Sequence, residues 1–148
     1  MLTQEEIDRL LDLLKIRKNK GEIKFPQEGS SIIIDLISKD GKEDFIIDVQ
    51  RKGMKIKKSK CSYQERYTRD TVLLRLDIDG PEHQNPDGKI IQSNHLHICR
   101  EGYEDKYAIP MPENIFINPK DLIGTLINFL EYCKVENSRN IAVQSEMF

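Results

Sequence analysis

The chain has 148 residues, 38% hydrophobic and 32% charged, proportions that suit one polar folded domain better than a disordered chain. It has no apolar run near the ~18 residues of a membrane-spanning helix, and acids crowd the N-terminal MLTQEEIDRLLDLLK, so no signal peptide is expected. The net charge of −2 hides an asymmetry: nine Lys/Arg face only Glu65 and Asp70 between residues 51 and 75, giving +7 there and −9 elsewhere.

Thr3 and Glu6 form a capping box, and Ile7, Leu10, Leu11 and Leu14 follow at helical spacing, predicting a helix over residues 4–18. SSIIIDLIS (30–38) and EDFIIDVQR (43–51) are rich in β-branched residues and joined by Lys-Asp-Gly-Lys, a hairpin signal. The next segment sets Met54 and Ile56 against Lys55 and Lys57, reading as a strand that becomes irregular at residues 58–60. TVLLRLDID (71–79) alternates, with Val72, Leu74, Leu76 and Ile78 opposite Leu73, Arg75, Asp77 and Asp79. Turn-rich GPEHQNPDGK separates it from a strand over 93–100, and a short strand in DKYAIPMP follows.

Asn118 as cap and Pro119 at the first position open a final helix with a stripe of Leu122, Leu126, Phe129 and Leu130. Residues 135–148 are weakly patterned and read as a mobile tail. The expected fold is a single α+β domain over 1–148, a mostly antiparallel sheet of about five or six strands flanked by an N-terminal and a C-terminal helix.

The three cysteines, Cys61, Cys99 and Cys133, form no C-x-x-C pair, which argues against a disulfide framework or a structural zinc site. A reducing cytoplasm is the expected compartment, and no cofactor is expected.

All three histidines fall between residues 83 and 97. Strand parity puts His95 and His97 on one face and Leu96 and Ile98 on the other, toward the core. If 71–79 and 93–100 pair, the two imidazoles share a face with Arg75, Asp77 and Asp79, and the connecting loop hangs His83 over the end. Such a group suits acid–base chemistry, with the imidazoles exchanging protons and a cation holding phosphate. It also suits a metal held by His83, His95, His97 and Asp77. The plainer reading is a polar sheet face whose histidines brace the loop.

Lys55, Lys57, Lys58, Lys60, Arg66 and Arg69, interleaved with Tyr63 and Tyr67, could follow a phosphate backbone and stack on bases. Lysines protecting an edge strand are the structural alternative. In REGYEDKYAIP, Arg100 has the wrong parity for the histidine face, whereas a turn at Gly102 would bring Tyr103 and Lys106 back toward it as groups able to stabilise a charged transition state. No phosphate-binding Gly-rich loop, H-E-x-x-H, nucleophile elbow or deaminase signature is present.

These segments resemble a family of uncharacterised proteins from bacteria and their phages or mobile elements. The likeness lies in the Pro-His-x-Asn-Pro-Asp-Gly loop, the His-Leu-His strand and the Glu-Gly-Tyr-x-Asp-Lys turn, and runs from DVQRKGMKIKKSKCSYQERY to NPKDLIGTLINFLEYC. This chain departs in carrying Glu82 between Pro81 and His83, and Tyr107 where tryptophan is expected. The resemblance implies a prokaryotic setting with mobile-element associations.

Together these features lead to an expected RNA-directed protein, a metal-independent endoribonuclease of toxin or phage-defence type. His95 and His97 would be acid and base, His83 their partner, Arg75 and Lys106 the phosphate stabilisers, with Tyr103 beside them. The alternatives are a non-enzymatic anti-defence (anti-CRISPR-like) binding protein and a histidine-ligated metalloprotein. RNA is the expected partner, with an antitoxin or defence complex as a protein partner and no membrane.

Overall fold

Thr3 closes the first helix as the sequence implies: its hydroxyl accepts from the Glu6 N–H while the Glu6 carboxylate accepts from the Thr3 N–H. The computed structural model describes residues 1–51 and 59–145. Helix α1 covers only Gln4–Asp12, burying Ile7 and Leu10. It ends early because Leu13 is extended and the following backbone is taken by other partners: Leu14 C=O accepts from Lys39, and Lys15 N–H donates to Lys134. Residues expected in the helix therefore form strand β1, Lys15–Arg17.

The chain continues through β2 (Ile23–Phe25), β3 (Ser31–Ser38), β4 (Asp44–Gln50), β5 (Cys61–Tyr67), β6 (Thr71–Ile78), β7 (His83–Gln84), β8 (Ile90–Ile91), β9 (His95–Ile98) and β10 (Ala108–Pro110). Helix α2 (Leu122–Tyr132), a 3-10 turn (Ser138–Asn140) and β11 (Val143–Ser145) complete it. One antiparallel sheet of seven strands runs β1-β3-β4-β5-β6-β9-β10. The expected α+β class holds, with a larger sheet than five or six strands.

Alternation divides the sheet cleanly. Leu36, Phe45, Ile47, Val49, Tyr63, Leu76 and Leu96 point to one face, where Ile7, Leu10, Leu126, Phe129 and Leu130 cover them. The other face carries Ser62, Gln64, Arg66, Arg75, Asp77, His95 and His97. A register shift at Glu65/Arg66 sets Glu65 opposite Leu74 but Arg66 opposite Val72, leaving Leu73 as the extra residue. Leu73 is thereby fully buried in the core, not on the Arg75 face that strict alternation assigns it.

Three further differences have local causes. Asp121, not Asn118, caps α2, its carboxylate accepting from the Gly124 N–H, while the Asn118 carbonyl holds the preceding turn. Residues 135–145 are not a loose tail: Val135 and Ser138 are buried, and β11 pairs in parallel with β2. The strand expected around Met54 and Ile56 lies outside the described residues, while Cys61–Tyr67, beyond the irregularity expected at residues 58–60, is a full strand.

Candidate functional site

The register of β6 on β9 places Arg75 opposite His97 and Asp77 opposite His95. Side chains across an antiparallel pair lie close enough to interact directly, so this register alone creates the cluster. His83 arrives from above on the small β7–β8 hairpin. Asn85 clamps that hairpin to β10 with its amide accepting from Ala108 N–H at 2.9 Å and donating to Ala108 C=O at 3.0 Å. The His83 ring then stands 4.6 Å from that of His97 and 5.7 Å from that of His95, with those two 4.9 Å apart.

The outer nitrogen of each ring is anchored by a carbonyl. His95 Nδ1 meets Gln92 C=O at 2.9 Å, His97 Nδ1 meets Asp105 C=O at 2.8 Å, and His83 Nε2 meets Lys106 C=O at 2.7 Å. A carbonyl only accepts, so those nitrogens carry the protons. His95 and His97 consequently turn bare Nε2 atoms inward, 3.4 and 3.3 Å from the same oxygen, Asp77 Oδ2. The other Asp77 oxygen accepts from the Ser62 hydroxyl at 2.9 Å. Burial pushes the Asp77 carboxyl upward, but once His97 takes a second proton at Nε2 its hydrogen bond, with the Arg75 charge and Ser62, outweighs burial and holds the group at about 2.

Arg75 completes the centre. Its guanidinium lies 2.7 Å from Asp105, 3.3 Å from Asp77 Oδ2 and 3.1 Å from His97 Nε2. The side chains of His95 and His97 are 3% and 1% exposed, whereas Asp77 keeps 24% and Arg75 29%. A cleft of about 420 Å³ opens here, lined by Lys60, Ser62, Arg75, Asp77, His83 and the two buried histidines. Glu82, the residue carried between Pro81 and His83, also borders it.

The other expected residues are distributed less favourably. Lys106 contributes its carbonyl to His83 while its side chain is exposed, and Tyr103 packs against Tyr107, ring centroids 5.0 Å apart. Neither side chain lines the cleft. Arg100 faces elsewhere, stacked 3.9 Å over Tyr107. Asp79 ends β6 with a positive φ of 55°, bonded to Asn94 and Ser59 outside the cluster. Among the basic residues, Lys55, Lys57 and Lys58 lie outside the described residues. Arg66 grips Asp48 at 2.6 and 3.0 Å, and Arg69 is exposed. Tyr63 is buried with its hydroxyl donating to Leu122 C=O, so its ring cannot stack on a base; Tyr67 is half-buried and donates to Glu43. Asp105 and Ser62 are, with Glu82, among the site residues that sequence reasoning passed over. Cross-strand pairing of Ser62 with Asp77 could have found one, but Asp105 depends on the path of a turn.

Fold and cleft together define an α+β protein with an Asp/His/Arg centre on the sheet face opposite the one its two described helices cover. The chain belongs to the Family of unknown function (DUF6978), whose model matches residues 2–135. No curated protein and no solved structure matches it. No helix among the described residues is long and apolar enough to cross a membrane.

Proposed function

We propose that the protein is an RNA-directed endoribonuclease of toxin or phage-defence type, working in a prokaryotic cytoplasm, with the histidine cleft as its reactive centre. The observation that carries this reading is the convergence of three imidazoles and one guanidinium on a cleft that Lys60, one of the nine basic residues between 51 and 75, also borders. Cleavage by attack of a ribose 2′-hydroxyl on the adjacent phosphate needs a proton acceptor, a proton donor and a positive charge. Arg75 supplies the charge. His83, the most exposed of the three rings and carrying a bare Nδ1, is the best placed to exchange a proton with a ligand entering the cleft.

In the metal-free form of this reading, His95 and His97 act as acid and base. The bond from Arg75 to His97 Nε2 favours that form, because it satisfies the ring without an ion. The test is cleavage of a mixed RNA pool by purified protein, with EDTA and without. Loss of cleavage in His83→Ala and Arg75→Ala supports the reading; an RNA pool left intact by wild-type protein in both conditions overturns it.

A non-enzymatic binding role in an anti-defence or antitoxin-type complex is the second reading. It is favoured by the state of the described basic surface, where Arg66 is neutralised by Asp48 and Tyr63 is buried. A stoichiometric protein partner retained after His83→Ala and Arg75→Ala would select it.

A further inference from the structure

We infer that Asp77, His95 and His97 form a binding site for one divalent zinc-type ion, four-coordinate, with its last position open to the cleft.

The first argument is direction. The potential ligand atoms of these three residues lie within 4.8 Å of one another. Both imidazoles give their Nδ1 proton to a backbone carbonyl, fixing the ring and leaving the Nε2 lone pair to face inward. Asp77 is oriented in the same way, by Ser62 on its outer oxygen. Each of the three is thus held by a second group at the atom that does not face the centre, the arrangement typical of metal ligands.

The second argument is distance. A charge-assisted hydrogen bond between imidazole and carboxylate would draw N and O to roughly 2.7–2.9 Å. The observed separations are 3.3 and 3.4 Å. Two ligands bound at about 2.0–2.1 Å and at a tetrahedral angle lie about 3.4 Å apart. At a right angle, as around a six-coordinate ion with bonds of about 2.1 Å, they would lie about 3.0 Å apart. The two measured edges therefore match a tetrahedron.

The third argument is against division of labour. An acid and a base acting on one phosphate must approach it from opposite sides. His95 and His97 instead aim their Nε2 atoms at a single point, which suits sharing one ion better than flanking one substrate. Among the described residues Arg75 is the competitor, through its contacts with His97 Nε2 at 3.1 Å and Asp77 Oδ2 at 3.3 Å. Its guanidinium is also held by Asp105 at 2.7 Å, so it can yield both contacts and stay at the rim. There it would face an anionic ligand on the ion's open position, and the ion would polarise a bound water or phosphoryl oxygen. His83, with its Nε2 committed to Lys106 C=O, borders that position and is not a required ligand.

The site shares residues with the ribonuclease reading but does not depend on it, and two assays separate them. Untagged protein is stripped with EDTA, dialysed and titrated with Zn²⁺ by calorimetry, and Co²⁺ is added to a second sample for visible absorption. One ion per chain is expected, with the intense absorption of four-coordinate cobalt. Asp77→Asn and His97→Gln should each weaken zinc binding by at least about 100-fold, since losing even an outer partner of a ligand costs about 10- to 100-fold. His83→Ala should keep the stoichiometry. Circular dichroism checks each variant, and Asp77→Asn, at the most exposed ligand, decides the matter should His97→Gln fail to fold. No zinc uptake, or uptake indifferent to Asp77→Asn, overturns the site; weak six-coordinate cobalt bands overturn its geometry. RNA cleavage is measured alongside. Zinc bound with RNA intact sinks the ribonuclease reading and keeps the site. RNA cleaved equally in EDTA by protein that takes up no zinc sinks the site and keeps the ribonuclease.

Discussion

Each histidine's protonation pattern follows from one carbonyl. In metal-free protein at mildly alkaline pH, nitrogen-15 NMR should find His95 and His97 protonated at Nδ1 and His83 at Nε2. The opposite tautomer at either buried ring would contradict the geometry. Tyr63 offers a contrasting test. Its hydroxyl bonds Leu122 C=O within the core, so Tyr63→Phe should lower stability by about 1 kcal/mol in urea melts and leave RNA binding unchanged. An equal loss in RNA binding would mean the ring is reached by nucleic acid after all.

At the scale of elements, the Asn85 clamp decides where His83 stands. Asn85→Ala removes both bonds to Ala108 and leaves a buried N–H and C=O without their partner, which costs about 1–3 kcal/mol. Faster amide exchange over residues 83–91 should accompany that loss, while β3–β4 stays protected. Asn-Pro-Asp-Gly was readable only as a turn, because nothing in the local sequence says that its first side chain reaches a strand 23 residues away. The β6–β9 pairing was readable in detail, since clean alternation in both segments forces one register class once they pair. Helix α1 shows the limit from the other side. Leu13, Leu14 and Ile16 keep helical spacing, but backbone partners at Lys39 and Lys134, distant in sequence, draw the chain into β1. The bulge at Leu73 was equally invisible, because alternation cannot reveal where one residue is skipped.

The whole molecule carries a liability in its core. Lys15 and Glu65, both fully buried, meet at 3.2 Å, with Lys15 Nζ also bonded to Cys133 C=O and 4.7 Å from the Phe45 ring centre. Burial pushes the Glu65 carboxyl up to about 7, against the pull of Lys15. The folded state therefore binds this proton more tightly than the unfolded one, whose carboxyl has its ordinary value of 4.5. Stability contributed by Glu65 is fully present below that value and is lost as pH rises toward about 7. Denaturation midpoints followed across that interval should fall for the wild type and flatten in Glu65→Gln. Lys15→Met alone, leaving a buried carboxylate uncompensated, should cost about 3–5 kcal/mol at neutral pH, whereas Lys15→Met with Glu65→Leu should recover most of it. Additive losses in the pair would show that the two residues do not sense each other.

One peptide segment has a disproportionate reach. The carbonyls of Asp105 and Lys106 are consecutive, yet the first orients His97 and the second orients His83, while the Asp105 carboxylate secures Arg75. The turn that presents them passes through Gly102 at a φ of 82°, a conformation side chains resist. A displacement of that turn would therefore swing two rings and slacken a guanidinium in a single movement. Whatever bends residues 102–106 loosens His83, His97 and Arg75 together, while His95 and Asp77 keep their own anchors at Gln92 and Ser62.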